Sequence, residues 1–256
     1  MKLLFIGDII GSPGRNRVCA NLPELLKKED IFFSIAQGEN IAGGIGITEE
    51  TAKQLFEAGI DCITTGNHVW KYKAIYDYLK QEKRVLRPAN YPEGVPGSGF
   101  AVYEKQAIKI GVVNLEGRVF MSSKRDPFKI GRSIAETMRK ETCNIFVDFH
   151  AEATSEKRAL GFYLSDYVTA CVGTHTHVQT ADEQIINNRA AYITDVGMVG
   201  ARDSVIGVKK EEVIDHFLLS IPHKFKVGKD SIIANCVIID FDVRIGQAKS
   251  IVRYNF

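Results

Sequence analysis

Three short apolar segments near the start of the chain each end in a glycine that is followed by a polar side chain. Leu3–Ile6 is followed by Gly7 and Asp8, Ile31–Ala36 by the sequence Q-G-E-N, and Asp61–Thr64 by T-G-N-H. Apolar segments of this length, separated by stretches of helical composition, predict buried strands of an α/β sheet. Turns favour Gly and Asn but do not require a glutamate or a histidine at the same place. The repetition therefore indicates a functional site at the strand ends.

Two later strands are predicted to end in histidine. Asn144–Phe149 precedes His150, and Tyr167–Val172 leads into the sequence G-T-H-T-H, which contains His175 and His177. In an extended chain, two histidines separated by one residue point to opposite faces. If both serve one site, the loop must bend or the site must hold two centres. Taken alone, the two histidines fit a polar surface turn as well as they fit a metal site.

Helices alternate with strands through much of the chain, and strands dominate its last third. The predicted helices are Arg15–Lys28 with a break or a second start at Pro23, Thr48–Ala58, Lys71–Leu79, Asp126–Glu141, Glu152–Leu164 and Glu211–Ser220. The remaining predicted strands are Phe100–Tyr103 and Ile108–Val113, which form a hairpin, and Ile185–Asn188, Ala190–Thr194 and Ser231–Phe241. The Pro/Gly-rich segment Leu86–Gly99 is predicted to be a loop, because sheet-like segments flank it. We expect one α/β domain over residues 1–256, with a mixed sheet or two packed sheets and helices outside.

Composition narrows the class of protein and its compartment. A formal net charge of +2 argues against an extensive nucleic-acid surface, because neutralising many phosphates normally requires a strong basic excess. The five cysteines are widely spaced and predict buried free thiols of a reducing compartment. No segment approaches the length of a transmembrane helix, and Met1–Ile6 is too short for a signal peptide. We therefore expect a cytoplasmic protein without a membrane anchor.

Eight polar residues at the predicted strand ends form the candidate site. They are Asp8, Glu39, Asn40, Asn67, His68, His150, His175 and His177. Oxygen ligands combined with imidazoles suit manganese, iron or zinc, and the absence of clustered thiols argues against structural zinc. Eight candidates are too many for one tetrahedral ion and suit two, which would share a carboxylate, clamp a phosphate and lower the pKa of a bridging water. Glu39 is the only glutamate of the set and is predicted to be the shared ligand.

The order of these motifs resembles that of the calcineurin-like metallophosphoesterase superfamily. The longer strings G-D-I-I-G-S-P-G-R, G-E-N-I-A-G-G, T-G-N-H-V-W, R-P-A-N-Y-P, F-H-A-E-A-T-S-E-K and G-T-H-T-H-V-Q-T-A-D resemble the YmdB-like phosphodiesterases, from the first strand to about Gly200. The resemblance implies an α-β-β-α sandwich of two packed mixed sheets flanked by helices. It also implies hydrolysis of cyclic nucleotides, 2′,3′-cyclic and also 3′,5′-cyclic, by a hydroxide that bridges two metal ions. Assembly into a homo-oligomer is implied as well.

The resemblance further implies a role for each site residue. Asp8, Asn40 and His177 would bind one metal, Asn67, His150 and His175 would bind the other, and Glu39 would bridge them. His68 would be catalytic, either protonating the leaving oxygen or stabilising developing charge. The chain departs from the superfamily pattern D-x-H at Ile10, which cannot coordinate a metal, so Asn40 is expected to replace that ligand. Two iron or manganese ions per chain are implied.

Other functions remain open at this point. The preferred hypothesis is an enzyme whose substrate is a small phosphodiester. A phosphomonoesterase or a nuclease could use the same metals and would differ from it only in the shape of the substrate pocket. A nucleotide-sensing protein with little turnover would be expected to lack His68 or the bridging carboxylate, and both are present. A dinucleotide-binding oxidoreductase is disfavoured, because the glycine spacing does not give G-x-G-x-x-G.

Several polar residues fit either a structural or a functional role. Asp8 could cap the following helix, and Asp195 could orient a ligand histidine or cap a turn. Residues 154–157 resemble a capped helix start. They also lie close enough to His150 in the sequence to orient its side chain through hydrogen bonds. The other ambiguous residues are Arg87 and Arg118, candidates for phosphate contact, and His216 and His223, predicted to be structural.

Overall fold

The computed structural model describes residues 1–122, 125–222 and 224–256, and these contain two mixed β-sheets that pack face to face. The strands of the first sheet, in spatial order, are β2 (Asp8–Ile9), β12 (Met198–Ala201), β13 (Ile232–Asp242), β1 (Lys2–Ile6), β3 (Ile31–Gln37), β4 (Cys62–Thr64) and β5 (Val85–Leu86). A further strand, β14 (Gln247–Asn255), pairs with β13. Strands β1, β3, β4 and β5 are parallel, so their carboxyl ends lie at one edge of the sheet.

The second sheet also combines a parallel centre with antiparallel strands, but it has fewer strands. Its strands, in spatial order, are β10 (Gln184–Ile186), β11 (Ala190–Ile193), β9 (Ala170–Thr174), β8 (Ile145–His150), β7 (Ile108–Glu116) and β6 (Phe100–Lys105). Strands β7, β8, β9 and β11 are parallel, and the hairpin partners β6 and β10 are antiparallel to them. The mixed sheets predicted from the sequence are therefore confirmed.

Helices cover the outer face of each sheet. The covering helices are α1 (Gly11–Lys28), α2 (Glu49–Glu57), α3 (Ile75–Gln81), α4 (Pro127–Met138) and α5 (Thr154–Leu164), and α6 (Lys210–Leu219) is mostly exposed. Buried residues of α1, α2 and α3 pack on the first sheet, and buried residues of α4 and α5 pack on the second. None of the helices in the described part of the chain combines the length and the apolar character needed to span a membrane.

The alternation of side chains along the strands explains the layering. In β1, Leu4 and Ile6 face the outer helices, whereas Leu3 and Phe5 belong to the core between the two sheets. That central core also contains Phe146 of β8 and further residues of the second sheet. Because both faces of each sheet are covered, the strands read in sequence as nearly continuous apolar segments. The α-β-β-α sandwich implied by the family resemblance is confirmed.

The predicted break in α1 is wrong. The helix begins at Gly11 instead of Arg15 and continues through Pro23. Val18 and Leu22 are fully buried on the face that packs on the first sheet. This packing outweighs the loss of one backbone donor at the proline, whose fixed φ is itself compatible with a helix.

Two other predicted helices start too early. Helix α3 begins at Ile75 instead of Lys71, because the preceding residues form turns in which the Lys71 N–H donates to the His68 carbonyl at 3.0 Å. Helix α5 begins at Thr154 instead of Glu152, and no side chain caps its first turn. The helix start suggested by residues 154–157 is therefore correct, but the side-chain cap predicted there is wrong.

Candidate functional site

The strand-end residues lie where the carboxyl ends of parallel strands from the two sheets meet. From the first sheet, Asp8 follows β1, Glu39 and Asn40 follow β3, and Asn67 and His68 follow β4. From the second sheet, His150 is the last residue of β8, and His175 and His177 follow β9. Crevices at such ends are the usual ligand sites of parallel sheets.

One group of metal-competent atoms consists of Glu39, His150 and His175. One ligand atom from each of these residues lies within 4.8 Å of the others. Glu39 Oε1 is 3.2 Å from His150 Nε2, and His150 Nε2 is 3.0 Å from His175 Nδ1. A carboxylate and two imidazoles at these separations form a donor set suited to a transition metal.

A second group, formed by Asp8, Asn40 and His177, adjoins the first. His177 Nε2 lies 3.6 Å from Asp8 Oδ1 and 3.5 Å from Asn40 Nδ2. Asn40 Nδ2 in turn donates to Glu39 Oε1 at 3.2 Å. Glu39 therefore lies between the two groups, with His150 on one side and Asn40 on the other.

Burial and close charge shift the pKa values of these groups strongly. Burial raises the pKa of Glu39, but the charge of His150 and hydrogen bonds from His150 and His68 outweigh it and hold that pKa well below its usual value. Burial likewise raises the pKa of Asp8, yet the charge of His177 leaves it lowered. Two buried carboxylates are thus held in their ionised form, which favours cations at the site.

The pKa values of the His150 and His175 imidazoles are shifted in opposite directions. Burial lowers the pKa of His150, but the charge of Glu39 raises it to about 9. Burial, and after it the charge of His150, lowers the pKa of His175 to about 4. His150 Nε2 faces both Glu39 Oε1 and His175 Nδ1, at 3.2 and 3.0 Å, so the three donor atoms converge on one point.

Two oxygens support the fit of the residues to metal ions. Asp8 Oδ1 and Asn67 Oδ1 are buried, and neither has a hydrogen-bond partner among the described residues. A buried oxygen without a partner is costly, and coordination of a cation would satisfy it. The two oxygens belong to the two different ligand groups implied by the resemblance.

Backbone and side-chain contacts around the ligands orient the histidine rings. His150 Nδ1 lies 3.0 Å from both Gln37 Nε2 and Thr174 Oγ1, which leaves Nε2 to face Glu39. His177 Nδ1 donates to the Ile206 carbonyl at 2.8 Å, which directs its Nε2 toward Asp8. Such partners fix the tautomer and orientation of ligand histidines. Gln37 and Thr174 belong to the Q-G-E-N and G-T-H-T-H motifs but are not among the predicted site residues, and nothing in the local sequence marks Ile206.

His68 lies at the open side of the site. Its backbone N–H donates to Glu39 Oε2 at 3.0 Å, and its Nδ1 lies 2.8 Å from Asn40 Oδ1. The side chain is 36% exposed, whereas that of Glu39 is 1% exposed. Nδ1 of His68 is therefore held by Asn40, and the other side of the ring is exposed to solvent.

The loop that carries His175 and His177 is anchored by Asp195. Asp195 Oδ2 accepts hydrogen bonds from the Thr176 backbone N–H at 3.0 Å and from the Thr176 hydroxyl at 2.7 Å. The same oxygen accepts from Lys157 Nζ at 2.7 Å, and both side chains of this pair are buried. Asp195 therefore holds the histidine loop through Thr176. Its other oxygen, Oδ1, accepts from the Gly197 N–H at 2.8 Å, so Asp195 also caps a turn, as the second alternative predicts.

Other sequence candidates lie outside the site or serve the fold. The Ile10 side chain is buried in the core, where it packs against Gly200 and Gly207. Arg87 donates to the carbonyls of Pro88 and Pro96, so it stabilises a loop.

Two further candidates take part in local contacts. His216 Nδ1 contacts the Ile221 carbonyl in the α6 region, and His223 lies outside the described residues. The backbone N–H groups of Arg118 and Val119 are held by Glu156, at 3.0 and 3.2 Å. Asp8 does not cap α1, because the first turn of that helix has no side-chain cap.

Comparison with known proteins decides the family. The model of the YmdB-like protein family matches residues 4–254. The chain belongs to the YmdB-like family. A relative from Bacillus subtilis (strain 168), named 2′,3′-cyclic-nucleotide 2′-phosphodiesterase, is 44% identical over 253 residues, which make up 99% of this chain and 96% of that protein.

Solved structures of similar proteins share the whole YmdB-like sandwich. A hypothetical protein from Thermus thermophilus has a TM-score of 0.94 at 37% identity, covering 100% of this chain and 99% of its own. A structure from Mycoplasma pneumoniae described as a novel phosphatase has a TM-score of 0.93 at 34% identity, covering 100% of this chain and 93% of its own. The family inferred from the sequence motifs is therefore confirmed.

Proposed function

We propose that this YmdB-like chain is a two-metal phosphodiesterase that hydrolyses 2′,3′-cyclic nucleotides. The observation that carries the proposal is the position of Glu39, which contacts His150 of one ligand group and Asn40 of the other through the same oxygen. The name of the Bacillus subtilis relative, at 44% identity, supports the substrate class. Hydrolysis of 3′,5′-cyclic nucleotides is a second activity to be tested.

The residues divide into two ligand sets that share one carboxylate. Asp8, Asn40 and His177 would hold one ion, Asn67, His150 and His175 would hold the other, and Glu39 would contact both. Bound iron or manganese ions would polarise the phosphate and lower the pKa of a water between them. The mixture of oxygen and imidazole donors supports these metals over a structural zinc site.

His68 would supply the proton for the leaving oxygen. In the proposed reaction the bond between phosphorus and O2′ breaks, and the oxygen of a water forms the new bond to phosphorus. The water releases one proton to solvent, O2′ takes one from His68, and His68 regains a proton from solvent, so the product is a 3′-phosphomonoester with a free 2′-hydroxyl. Because Nδ1 of His68 is held by Asn40, Nε2 is the nitrogen that would face the substrate and donate the proton.

A metal analysis combined with a substrate panel tests the proposal. Protein purified without oxygen is expected to contain about two metal ions per chain and to hydrolyse 2′,3′-cyclic AMP. The Glu39→Gln variant should lose at least about 100-fold in kcat together with metal, whereas the exposed Glu24→Gln control should lose neither. Full activity of Glu39→Gln with unchanged metal content would overturn the mechanism. Turnover of p-nitrophenyl phosphate but of no cyclic diester would favour a phosphomonoesterase.

Compartment and assembly stay predictions. All five cysteines are free thiols, which supports a reducing compartment such as the cytoplasm. Assembly of several copies is implied only by the family resemblance, and light scattering after size-exclusion chromatography would test it.

A further inference from the structure

We propose that a lysine-rich groove beside the site binds the 5′ extension of a short RNA whose 3′ end carries the 2′,3′-cyclic phosphate. The inference rests on the proposed function and extends its substrate from mononucleotides to oligoribonucleotide ends. The lysine groove is lined by five lysines and three acidic residues, together with Gly43, Phe225, Val227 and Gly228. The lysines are Lys209, Lys210, Lys224, Lys226 and Lys229, and the acidic residues are Asp203, Glu211 and Asp230. Its volume is about 810 Å³, which is at the upper end for a small-ligand pocket.

The groove begins close to the metal-competent residues. Gly43 follows Asn40 by three residues, so their Cα atoms are at most about 11 Å apart. On the opposite wall, Lys209 follows Ile206 by three residues, and the Ile206 carbonyl accepts the hydrogen bond from His177 Nδ1 at 2.8 Å. The two walls are therefore direct continuations of segments that carry or orient site residues.

The outer wall of the groove is rigidly attached. The Lys209 N–H donates to the Lys226 carbonyl at 2.8 Å, and the Gly228 N–H donates to the Gly207 carbonyl at 2.9 Å. Val227 packs against Gly44, where an added Cβ would lie 2.6 Å from Val227 Cγ2. The lysines are thus presented by backbone that is fixed relative to the loop after β3.

The five lysines of the groove outnumber its three acidic residues, Asp203, Glu211 and Asp230, so its lining keeps a positive excess that favours an anion. Of its five lysines, Lys210 pairs with Asp203 and Lys226 pairs with Glu212 at 3.3 Å. Within the described residues, Lys209, Lys224 and Lys229 form no ion pair within 4.0 Å. The charge of Lys209 does contribute, after the hydrogen bonds and charge of Lys226, to the lowered pKa of Glu212. Lysine ammonium groups without a carboxylate partner are suited to phosphates as point charges.

An aromatic ring lies among the lysines. Phe225 is 42% exposed and stands between Lys224 and Lys226 in the sequence. Its ring packs edge-on against His216, with centroids 5.5 Å apart, which restricts its orientation. Nucleobases stack on such rings with little sequence preference, and a basic groove then follows the backbone.

The chemistry of a 2′,3′-cyclic phosphate end explains why the RNA can extend from the terminal nucleotide in one direction only. A 2′,3′-cyclic phosphate occupies both O2′ and O3′ of the terminal ribose, so a longer substrate continues solely from O5′. Only RNA carries the required 2′-oxygen. The formal net charge of +2 limits the contacts to a few phosphates, which suits short fragments instead of long polymers.

The test compares a mononucleotide with an oligonucleotide in three proteins. The substrates are 2′,3′-cyclic AMP and a triadenylate that ends in a 2′,3′-cyclic phosphate. The proteins are the wild type, the groove variant Lys209→Glu/Lys229→Glu, and the control Lys140→Glu/Lys249→Glu, which changes the net charge equally at exposed positions away from the groove. The measured quantity is the ratio of kcat/KM for the two substrates.

We expect the ratio to favour the triadenylate at least about tenfold in the wild type and the control, and to fall to about one in the groove variant. Raising salt from about 50 to 200 mM should lower kcat/KM for the triadenylate about sevenfold in the wild type, as two phosphate contacts predict. Equal ratios in the groove and control variants, or no preference for the triadenylate in the wild type, would overturn the proposal.

A binding measurement separates this proposal from the proposed function. Fluorescence anisotropy of a labelled triadenylate reports on the groove even if no cyclic nucleotide is hydrolysed. Inactivity toward 2′,3′-cyclic AMP with groove-dependent binding would contradict only the proposed function. Activity toward 2′,3′-cyclic AMP with equal binding by the groove and control variants would contradict only the groove.

Discussion

Gly66 shows how closely single residues of the site are packed. A methyl group added to this glycine would lie 2.2 Å from His150 Cδ2 and 2.5 Å from Glu39 Oε2. Glycine is required at this position because there is no room for a side chain, and not because of its φ angle. Overpacking here would displace both His150 and Glu39. We therefore expect Gly66→Ala to lower kcat at least about 100-fold and to reduce metal content, as measured by steady-state kinetics and elemental analysis.

A second glycine provides the control. Gly94 has φ +85° and no atom near the position of an added Cβ. Gly94→Ala should cost about 1 kcal/mol of stability through backbone strain and leave kcat unchanged. Equal effects of the two substitutions on kcat would show that the close contact at Gly66 is irrelevant to the site.

At the residue scale, sequence predicts the chemistry of side chains better than the groups that orient them. The strand-end pattern identifies Glu39, His150 and His175, which the structure brings together. The pattern cannot identify the Ile206 carbonyl, because every residue has one and only tertiary structure selects it. Nor can it predict that His175 adopts φ +101°, since non-glycine residues rarely adopt this region.

A buried ion pair connects a helix to the histidine loop. Lys157 of α5 and Asp195 have side chains that are 1% and 0% exposed, with 2.7 Å between Nζ and Oδ2. Replacing only one partner of such a pair leaves an uncompensated buried charge, which costs about 3 to 5 kcal/mol. We therefore expect Lys157→Met to lower the free energy of unfolding by this amount in urea denaturation.

Lys105 and Asp61 form a matched pair nearer the surface. Their nitrogen and oxygen are 2.8 Å apart, and the side chains are 40% and 24% exposed. Because solvent screens this pair, Lys105→Met should cost at most about 1 kcal/mol. If Lys157→Met costs no more than Lys105→Met, the inner pair does not anchor the loop.

At the element scale, periodicity locates most strands and helices but not their packing. Helix α2 is predicted with its start at Thr48, whose side chain accepts the Thr51 N–H. Local signals fail where tertiary contacts decide, as in the passage of α1 through Pro23. The strand Gln247–Asn255 is not predicted, although it pairs along most of β13, because a charged and partly exposed strand lacks an apolar run.

At the scale of the whole molecule, the two sheets share one central core. Leu3 and Phe5 of the first sheet pack in the same cluster as Ile110 and Phe146 of the second. We propose on this ground that residues 1–256 form a single domain, as the sequence predicts. Unfolding should then be one cooperative transition.

Metal binding should raise the temperature of that transition. Manganese at about 100 times its Kd should stabilise the native state by about 2.7 kcal/mol, which corresponds to about 5 to 10 °C in Tm for a chain of this size. Differential scanning calorimetry with and without the metal measures the shift, and chelation should reverse it. The Glu39→Gln variant serves as the control, and a shift of the same size in that variant would contradict Glu39 as a ligand.

The division of the ligands between two sheets has a consequence for how the protein acquires its activity. Glu39 follows a strand of one sheet, and His150 and His175 come from the other, more than 100 positions later in the chain. Contacts between such distant segments close only after large loops have been ordered, so they form late in folding. A newly made chain would thus gain its capacity for tight metal capture as one of its last steps toward maturity.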